Sequence, residues 1–456
     1  MDNRSSAAGI DLPDDIDLRS ILLQSRRLGV RERTQLYSTW IRRVQARGES
    51  MYHRVITSPV DRAVTVYDDF HGEEREVLMF GSNTYLGLQS HPYIQERMKA
   101  AIDEWGAGIG GAPLLSGYSA LHRDLEERLA DFKGTEEAVI YQSGYGANVG
   151  LLTALLGKKD VVYYDGLSHA STLDGLNQAT ARAVKFAHND MEALAGLLEA
   201  PVDGERFVCV EGVYSMDGDL APLDEVVALS KKHGAFVIVD DAHGVGVVGH
   251  HGRGTANHFG VTDDVDAHIG TFSKVFGVTG GAVCTDRAVA DFLRHFSRSN
   301  VFSSSLPPAI VAAVHAGLDL LERDDELIVR LHDNVAYFAR QLRRLGFDVR
   351  PDAAIVPLPV PKEMNLRRAV RFIYDQGVFA NAVEYPAVAV HRQRIRFSLM
   401  ASHTRADIDR VVEVVEQTWE RFAGGVPASV AAPATVTELK PSPRRSARPA
   451  SMPEAA

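Results

Sequence analysis

Residues 206–244 read RFVCVEGVYSMDGDLAPLDEVVALSKKHGAFVIVDDAHG, and this stretch decides the fold. Its two short apolar runs, RFVCV and AFVIV, are typical of buried strands. Between them, LDEVVALSKKHG has apolar residues at helical spacing and ends at a glycine, which is a stop signal for a helix. A strand, a helix and a second strand in this order predict neighbouring parallel strands.

The same alternation extends to both sides of this stretch. Further short apolar runs are EAVIYQ (137–142), DVVYYD (160–165), DAHIGTF (266–272) and GGAVCT (280–285), and MEALAGLLEA (191–200) has a helical pattern. Such alternation indicates an α/β protein with a mainly parallel sheet and helices on both of its faces. Ligands of these folds bind at the carboxyl ends of the strands, so the functional residues are expected there.

Composition narrows the functional class. The chain has 456 residues, of which 45% are hydrophobic, and a formal net charge of −11. A duplex-binding protein usually carries a concentrated basic face, so this charge argues against a nucleic-acid partner. No apolar run approaches the roughly 18 residues that a membrane span requires. The acidic N-terminus lacks the apolar stretch of a secretory signal, and a cytoplasmic protein is therefore expected.

Cysteine usage also excludes one class of protein. The two cysteines, Cys209 and Cys284, both lie in apolar runs that are predicted to be buried strands. They are expected to be reduced core residues, and two cysteines in a chain of this length exclude a disulfide-dense scaffold.

We expect four segments along the chain. Residues 1–75 form an N-terminal arm with a helical extension, in which apolar spacing between Ile21 and Gln45 predicts one or two amphipathic helices and the first 20 or so residues are mobile. Residues 76–325 form a large domain that contains the parallel sheet, and residues 326–423 a small α+β domain. Residues 424–456 are rich in Ala, Pro and Ser, which predicts a disordered tail.

Candidate functional residues follow several of the predicted strands. Lys274 lies in GTFSKVFGVTGG, Asp240 and His243 in VIVDDAHGVG, and His169 in YYDGLSHAST. The stretch SGYGANVG (143–150) places small residues at a predicted helix N-terminus, which suits a phosphate group. Pyridoxal phosphate requires a lysine, a carboxylate for its ring nitrogen, an aromatic face and a phosphate site. The order of these groups along one α/β domain predicts that cofactor.

From about Val77 to Glu416 the chain resembles the α-oxoamine synthase family of fold-type I enzymes that use pyridoxal phosphate. The matching segments are SNTYLGLQSHP, GAGIGGAPLLSGYSALHRDLEERLADFKGTEEAVIYQSGYGAN, DGLSHASTLDG, EGVYSMDGDLAPL, VDDAHGVGVVG, GTFSKVFG, FSSSLPP and RIRFSLMASHT. The resemblance implies a large domain with a mainly parallel seven-stranded sheet and a small C-terminal α+β domain. The segment GVFANAVEYPAVAV (377–390) is more similar to the lipid-forming and natural-product branches of the family.

The resemblance also implies roles for the catalytic residues. Lys274 forms the Schiff base with the cofactor and then removes the α-proton of the substrate. Asp240 pairs with the pyridine nitrogen, His243 hydrogen-bonds the phenolic oxygen, and His169 stacks on the ring. A lysine freed beside a cationic ring should have a lowered pKa, which suits a base near neutral pH.

Binding roles follow in the same way. The resemblance implies that the cofactor phosphate takes backbone donors from Gly144 and Tyr145 and a hydroxyl from Thr271. Ser303 and Ser304 reach the phosphate of the neighbouring subunit, because these enzymes build each site at the interface of a homodimer. The phenolic edge of the cofactor or the carboxylate of the amino acid is held by the remaining group of residues, Asn83, Ser215 and Arg396.

The implied reaction is the decarboxylative condensation of a small α-amino acid with an acyl thioester, giving an α-amino ketone, carbon dioxide and a free thiol. Glycine, alanine and serine are all possible amino acids. The thioester is either a coenzyme A ester or an acyl group on a carrier protein. Two other functions stay open: an aminotransferase or lyase on the same fold, and a non-catalytic relative that retains it.

Several titratable residues have simpler interpretations. Glu211 and Asp217 are expected to organise the loop around Ser215 rather than take part in catalysis. His122, in SALHRDLEERL, is interpreted as a structural residue at a helix start. His250 and His251 lie in a glycine-rich loop with no second cluster of ligands, so no metal site is expected.

Overall fold

The computed structural model describes residues 16–427. The helices in this part of the chain are α1 (Leu18–Ser25), α2 (Val30–Ala46), α3 (Pro92–Trp105), α4 (Ala120–Lys133), α5 (Gly144–Leu155), α6 (Ala170–Gln178), α7 (Met191–Leu198), α8 (Leu223–Lys232), α9 (Thr255–Phe259), α10 (Arg287–Phe296), α11 (Arg298–Val301), α12 (Pro308–Arg323), α13 (Glu326–Arg344), α14 (Leu366–Asp375) and α15 (Arg405–Ala423). The tail predicted for 424–456 lies outside the described residues from 428 onward, as do residues 1–15 of the predicted arm.

The strands lie between these helices and form three sheets. They are β1 (Val55–Ile56), β2 (Ala63–Asp68), β3 (Glu73–Met79), β4 (Glu137–Tyr141), β5 (Val161–Asp165), β6 (Arg182–Phe186), β7 (Arg206–Glu211), β8 (Phe236–Asp240), β9 (Ala267–Thr271), β10 (Gly281–Thr285), β11 (Ile355–Pro359), β12 (Val378–Phe379), β13 (Asn381–Val383) and β14 (Arg394–Ser398).

The largest sheet has seven strands in the order β4-β10-β9-β8-β7-β5-β6. Strand β10 is antiparallel to both of its neighbours, and the strands from β9 to β6 are parallel to one another. The prediction of a mainly parallel seven-stranded sheet is therefore confirmed. Six of its strands coincide with the apolar runs of the sequence.

The seventh strand, β6, escaped the search for apolar runs. It pairs only with β5 and forms one edge of the sheet, where Arg182, Ala183 and Lys185 are exposed. An edge strand needs fewer apolar residues because one of its sides faces solvent, so its sequence, RAVKF, does not have the continuous apolar character of a central strand.

Helices cover both faces of this sheet. On one face, Leu194 and Leu198 of α7 pack with Leu223 and Val226 of α8 over the buried valines of β7 and β8. On the other face, apolar residues of α5 and α10 pack over Cys209, Ile238 and Ile269. Each buried leucine contributes about 1.5–3 kcal/mol relative to exposure, so the two layers hold the strand ends in a fixed arrangement.

The C-terminal part contains a three-stranded antiparallel sheet in the order β11-β14-β13. A four-stranded sheet, β1-β2-β3-β12, joins the N-terminal strands to this region, because β12 pairs in parallel with β3 at Val378–Leu78 and Phe379–Met79. Strands β1 to β3 were not predicted from the sequence. Backbone hydrogen bonds thus connect the end of β3, at residues 78–80, to residues 377–379 of the C-terminal region.

The helices predicted between Ile21 and Gln45 are α1 and α2, and their apolar residues Ile21, Leu36, Trp40 and Val44 form one buried cluster. Cys209 and Cys284 are buried and unpaired, as predicted. Among residues 16–427, no helix is both long enough and apolar enough to cross a membrane.

A buried ion-pair cluster fixes the loop after β6. His188 contacts the buried Asp165, with Nδ1 and Oδ1 3.0 Å apart, and Asp219, with Nε2 and Oδ2 2.8 Å apart. Burial alone would lower the pKa of His188 below its usual 6.5, but hydrogen bonds to the two carboxylates outweigh it and raise this pKa to about 9. Asp219 lies in the loop that follows β7, so the cluster connects two loops at the functional edge of the sheet.

We expect this cluster to make stability depend on pH. Because the pKa of His188 is higher in the folded state, its contribution is complete below about pH 6.5 and is lost as the pH rises through about 9. The free-energy difference of unfolding between the wild type and His188→Gln should therefore fall by about 1–3 kcal/mol between pH 6 and 10. Urea denaturation at several pH values measures it, with His295→Gln, an exposed site, as the control. A difference that does not change with pH would contradict the assignment.

Candidate active site

The carboxyl ends of adjacent parallel strands bring the predicted residues to one edge of the large sheet. Glu211, the last residue of β7, is the register partner of Asp240, the last residue of β8. Thr271 ends β9, and Lys274 follows it by three residues. His169 follows β5 by four residues and caps the N-terminus of α6. The site is therefore built from four consecutive positions across the sheet.

Asp240 is a buried carboxylate held by neutral donors. Its Oδ2 accepts a hydrogen bond of 2.7 Å from Nδ2 of Asn148, and its Oδ1 accepts one of 3.1 Å from the backbone N–H of Ala242. No lysine, arginine or histidine of residues 16–427 lies within ion-pair distance of this carboxylate. Asn148, on α5, was quoted in the motif SGYGANVG but was given no role; its position one turn after Gly144 is the signal that could have identified it.

Lys274 is half-buried on the loop after β9. Burial of the ammonium group lowers its pKa to about 8, although the carboxylates of Asp240 and Glu211 act in the opposite direction. Arg396 adds a smaller effect that also lowers the pKa. An amine with this pKa is substantially neutral near pH 8, which allows it to act as a nucleophile or as a base.

Glu211 lies beside Asp240 and is buried. Burial, and next the neighbouring carboxylate of Asp240, raise the pKa of Glu211 well above its usual value. Its Oε1 has no hydrogen-bond partner among the described residues. Two carboxylates this close favour one protonated and one charged form, so a proton on Glu211 preserves the charge of Asp240.

His243 is buried and belongs to a hydrogen-bonded chain of side chains. Its Nδ1 lies 2.7 Å from the hydroxyl of Tyr85, and that hydroxyl lies 3.3 Å from Oδ1 of Asn83. Nη2 of Arg396 donates to the same Oδ1 at 2.9 Å. Burial, followed by the charges of Lys274 and Arg396, lowers the pKa of His243 well below its usual value, so its imidazole is neutral.

This chain of side chains joins distant parts of the sequence. Asn83 and Tyr85 follow β3, whereas Arg396 is on β14 of the C-terminal sheet. The sequence predicted Asn83 and Arg396 separately, and the structure brings them together. Tyr85 was missed, although it lies in the quoted motif SNTYLGLQSHP. Nε of Arg396 is buried without a hydrogen-bond partner in the described part of the chain, so the guanidinium retains a free donor.

The residues to which the sequence assigns the phosphate lie at the N-terminus of α5 and beside it. Ser143 caps the helix by accepting a hydrogen bond of 2.9 Å from the N–H of Gly146, and the N–H groups of the first turn have no partner within the helix. A Cβ at Gly144 would lie only 2.8 Å from Cβ of Thr271, so a side chain there would push the helix start and Thr271 apart. Tyr145 is exposed and donates through its hydroxyl to Asp174.

The remaining predicted residues occupy three different environments. His169 is exposed, and its Nδ1 lies 2.7 Å from Oγ of Ser171. Ser215 is half-buried in the loop after β7. Ser303 is half-buried and Ser304 exposed in the segment after α11, and within residues 16–427 no hydrogen bond joins either side chain to the residues above. Their contribution to a neighbouring subunit stays a prediction.

Asp217 and His122, which the sequence analysis interpreted as structural residues, both make hydrogen bonds that hold neighbouring segments together. Asp217 accepts hydrogen bonds from Arg394 at 2.6 Å and Arg392 at 3.0 Å, which anchor the loop around Ser215 to the start of β14. His122 is buried, with one ring nitrogen 2.8 Å from Oγ of Ser119 and the other 2.9 Å from the carbonyl oxygen of Leu306.

These residues fit pyridoxal phosphate. A buried carboxylate without a cationic partner suits a protonated ring nitrogen, and a helix N-terminus beside Thr271 suits the phosphate. The lowered pKa of Lys274 suits the amine to which the cofactor aldehyde attaches. In the tautomer with the proton on Nε2, Tyr85 directs its single hydroxyl proton to Nδ1 of His243 at 2.7 Å instead of to Asn83, and His243 keeps an N–H donor for the phenolic oxygen.

Comparisons with known proteins agree with this geometry. The family profile "Aminotransferase class I and II" matches residues 75–415. The chain is 43% identical over 346 residues to an 8-amino-7-oxononanoate synthase of Geotalea daltonii, covering 75% of this chain and 88% of that protein. It is 40% identical over 351 residues to a serine palmitoyltransferase of Bacteriovorax stolpii, covering 76% and 84%.

A solved structure extends the comparison. The serine palmitoyltransferase of S. paucimobilis with a bound PLP–myriocin aldimine has a TM-score of 0.81 and 30% sequence identity. The similarity covers 86% of this chain and 99% of that one. A likeness over nearly the whole of that protein includes both the large sheet and the C-terminal region.

We expect the purified protein to take up pyridoxal phosphate and to show a visible absorbance band that depends on Lys274. Lys274→Ala should lack this band, because the covalent bond between the amine and the cofactor aldehyde cannot form. Lys133→Met is a suitable comparison, because Lys133 is also buried but pairs with Asp241 at 3.0 Å in the core. If that variant folds, it should keep the band. An unchanged band in Lys274→Ala would refute the assignment.

Proposed function

The chain belongs to the aminotransferase class I and II family, in its α-oxoamine synthase branch, and on this premise we propose that it condenses a small α-amino acid with an acyl thioester. The α-carbon of the amino acid bonds to the thioester carbonyl, the thiol leaves, and the carboxylate departs as carbon dioxide. The product is an α-amino ketone. The observation that carries this proposal is the buried Asp240 carboxylate, without a cationic partner, beside a lysine whose pKa is about 8.

Pyridoxal phosphate, when bound, supplies an electron sink for the negative charge that develops at the α-carbon. The protein must therefore keep the ring nitrogen protonated. We assign this task to Asp240, whose orientation is fixed by Asn148 and by the N–H of Ala242. The proton that we place on Glu211 prevents a second negative charge from competing for the same cation.

Lys274 is the proposed base. Its Nζ takes the proton from the α-carbon, and it returns a proton to the product carbon at the end of the cycle. A pKa of about 8 matches this two-way transfer, because neither form is strongly favoured near neutral pH. A lysine with the ordinary value of 10.5 would be charged in most molecules and would be a poor base at this pH.

Arg396 is the proposed partner of the amino-acid carboxylate. Asn83 orients its guanidinium through Nη2, and Nε stays available for a substrate oxygen. The planar fork of arginine matches a carboxylate in a way that a lysine cannot. Because His243 is neutral, it donates a hydrogen bond to the cofactor without adding a second positive charge next to Arg396.

The other residues complete the proposed cofactor site. His169 provides a ring that stacks on the cofactor. It caps the N-terminus of α6, where its side chain is exposed. The phosphate is assigned to Gly144, Tyr145 and Thr271, and Ser215 to the phenolic edge. Ser303 and Ser304 serve the site of the neighbouring subunit.

A homodimer is part of the proposal. Large exposed apolar side chains occur around the segment that bears these serines, namely Leu114, Leu115, Phe292, Phe296 and Phe302. Leu114 also lines a cleft of about 660 Å³, together with Tyr118, Arg294 and Asn300. A monomer rarely exposes so many large apolar groups on one side, so they support an interface.

We also propose the domain division expected from the sequence, with a cofactor-binding domain at 76–325 and a small domain at 326–423. The core layers around the seven-stranded sheet support the first, and the β11-β14-β13 sheet supports the second. The position of the Arg367 guanidinium over the ring of Trp40 supports an N-terminal arm that packs against the small domain. A cytoplasmic location fits substrates of this kind.

The reaction is tested with the holoenzyme and a panel of glycine, alanine and serine. Each amino acid is first titrated against the cofactor absorbance band, and the best binder is then mixed with acyl thioesters of different chain length. We expect thiol and carbon dioxide to be released in equal amounts, and mass spectrometry to detect the α-amino ketone. Transfer of the amino group to a keto acid without a thioester would instead support an aminotransferase and would reject this proposal.

Removal of the Arg396 guanidinium should weaken mainly the binding of the amino acid. We expect Arg396→Ala to raise the KM for the amino acid by roughly 10- to 100-fold, because it removes a charge-assisted hydrogen bond worth about 1.5–3 kcal/mol. The KM for the thioester should change much less. Arg405→Ala, at the exposed start of α15, is the control. An equal rise in both KM values would show a general disturbance rather than carboxylate binding.

A further inference from the structure

The helices α1 and α2 form a surface whose charge is opposite to that of the whole protein. Between Leu18 and Arg47 the sequence has eight arginines and a single acidic residue, Glu32, whereas the complete chain has a net charge of −11. Glu32 is occupied locally, because its Oε2 accepts a hydrogen bond of 3.2 Å from the N–H of Gly29. We call this surface the arginine-rich helix pair.

Most of these arginines are directed to solvent. Six of them are exposed, and none of the six has a carboxylate partner among residues 16–427: Arg19, Arg26, Arg27, Arg31, Arg33 and Arg42. Partly exposed apolar side chains lie among them, namely Leu22, Leu23, Val30 and Tyr37. Unpaired like charges repel one another and do not stabilise the folded state. Their concentration on one short segment therefore indicates that this surface binds a partner.

The helix pair is attached to the substrate side of the small domain. The guanidinium of Arg367, on α14, lies 4.5 Å from the ring centre of Trp40 of α2. The same arginine binds Glu384 through contacts of 2.6 and 3.1 Å, and the hydroxyl of Tyr52 donates to Glu384 at 3.1 Å. A continuous set of contacts therefore joins α2 to the residue that follows β13.

Strand β13 leads from that contact to the proposed carboxylate site. Its residue Asn381 is the register partner of Arg396 on β14. Glu384 lies three residues further along, which is about 10 Å at the rise of an extended strand. The arginine-rich helix pair is thus attached, through Arg367 and Glu384, to the end of the strand that pairs with the strand of Arg396.

We propose that the arginine-rich helix pair is the docking surface for an acidic acyl carrier protein, which delivers the acyl group as a thioester on its prosthetic arm. This inference rests on the proposed function and decides between its two forms of thioester. The negative net charge of the enzyme repels an acidic carrier protein, whereas the arginine-rich helix pair attracts it. Complementary charge of this kind raises the rate of encounter and fixes the orientation of the complex.

A protein partner fits this surface better than a lipid bilayer. A helix that lies in a membrane interface inserts a continuous apolar face. The apolar face of α2, with Leu36, Trp40 and Val44, is instead buried against α1 and the residues around it. What remains exposed is charge with four separate apolar side chains, Leu22, Leu23, Val30 and Tyr37, which matches the polar rim and small apolar centre of a transient protein interface.

The test uses the double variant Arg31→Glu and Arg33→Glu in the full-length holoenzyme. Both residues lie in the first turn of α2, where acidic side chains are favourable to the helix dipole, so the helix should keep its stability. The matched control is Lys158→Glu and Lys159→Glu, which makes the same charge change on an exposed loop after α5. Each protein is assayed with one long-chain acyl group in two forms, on a purified acidic carrier protein and on free pantetheine.

For the carrier-bound substrate we expect the Arg31/Arg33 variant to lose about tenfold or more in kcat/KM, and the wild-type value to fall as salt is added. The pantetheine thioester should be used equally well by the variant, the control and the wild type. Equal losses on both thioesters, or no loss on the carrier-bound one, would overturn the docking proposal. Loss of binding to phosphatidylglycerol vesicles with unchanged carrier kinetics would assign the surface to a membrane and would also overturn it.

A binding measurement separates this inference from the proposed reaction. The carrier protein with its free thiol is titrated into fluorescently labelled wild type and both variants. If the wild type uses neither thioester, the proposed function fails, whereas weaker carrier binding by the Arg31/Arg33 variant alone still supports the docking surface. Equal binding by all three proteins rejects the docking surface, whatever the activity.

Discussion

The buried carboxylate of Asp240 is the constraint on which the rest of the site depends. An ionised carboxylate inside a protein is costly unless charged or hydrogen-bonding groups surround it. Here two neutral donors, from Asn148 and Ala242, orient it, and the positive partner is left to the cofactor. The strand order of the sheet determines which side chains lie next to Asp240. Strands β7 and β9 flank β8, and they end beside it with Glu211 and Thr271.

Burial then sets the protonation of the neighbouring groups. It raises the pKa of Glu211 and lowers those of His243 and Lys274, so each of these residues is shifted toward its neutral form. Arg396 keeps its charge, since guanidinium groups do not lose a proton in proteins. In the proposed function, Asp240 therefore supplies a negative group for the ring nitrogen and Arg396 a positive group for the substrate carboxylate, and the neighbouring residues that are shifted toward neutral forms can transfer protons. This arrangement is what a reaction at an α-carbon requires.

The sequence was sufficient for features that depend on local pattern. Continuous apolar runs identified the six strands of the sheet other than β6, and Lys274, Asp240 and His243, which were chosen from the ends of these runs, lie at one edge of the sheet. Edge strand β6 was missed because its solvent-facing residues break the apolar run. Asn148 and Tyr85 were missed because their roles are set by partners far along the chain, at Asp240 and His243. The pairing of β3 with β12 is also non-local, and no short-range signal specifies it.

The non-local pairing of β3 with β12 has a physical role, because it positions the residues of the candidate active site that lie on different parts of the chain. Strand β3 leads to Asn83 and Tyr85, and β12 leads to β13, which pairs with the strand of Arg396. The β3–β12 pairing therefore sets the distance between two parts of the same hydrogen-bonded chain. Residues before β3 contact α14 through Arg367, which lies over the ring of Trp40 and also binds Glu384 just after β13. A partner that docked on the arm as proposed would therefore be positioned relative to the strand that pairs with the strand of Arg396, without any contact of its own to Arg396.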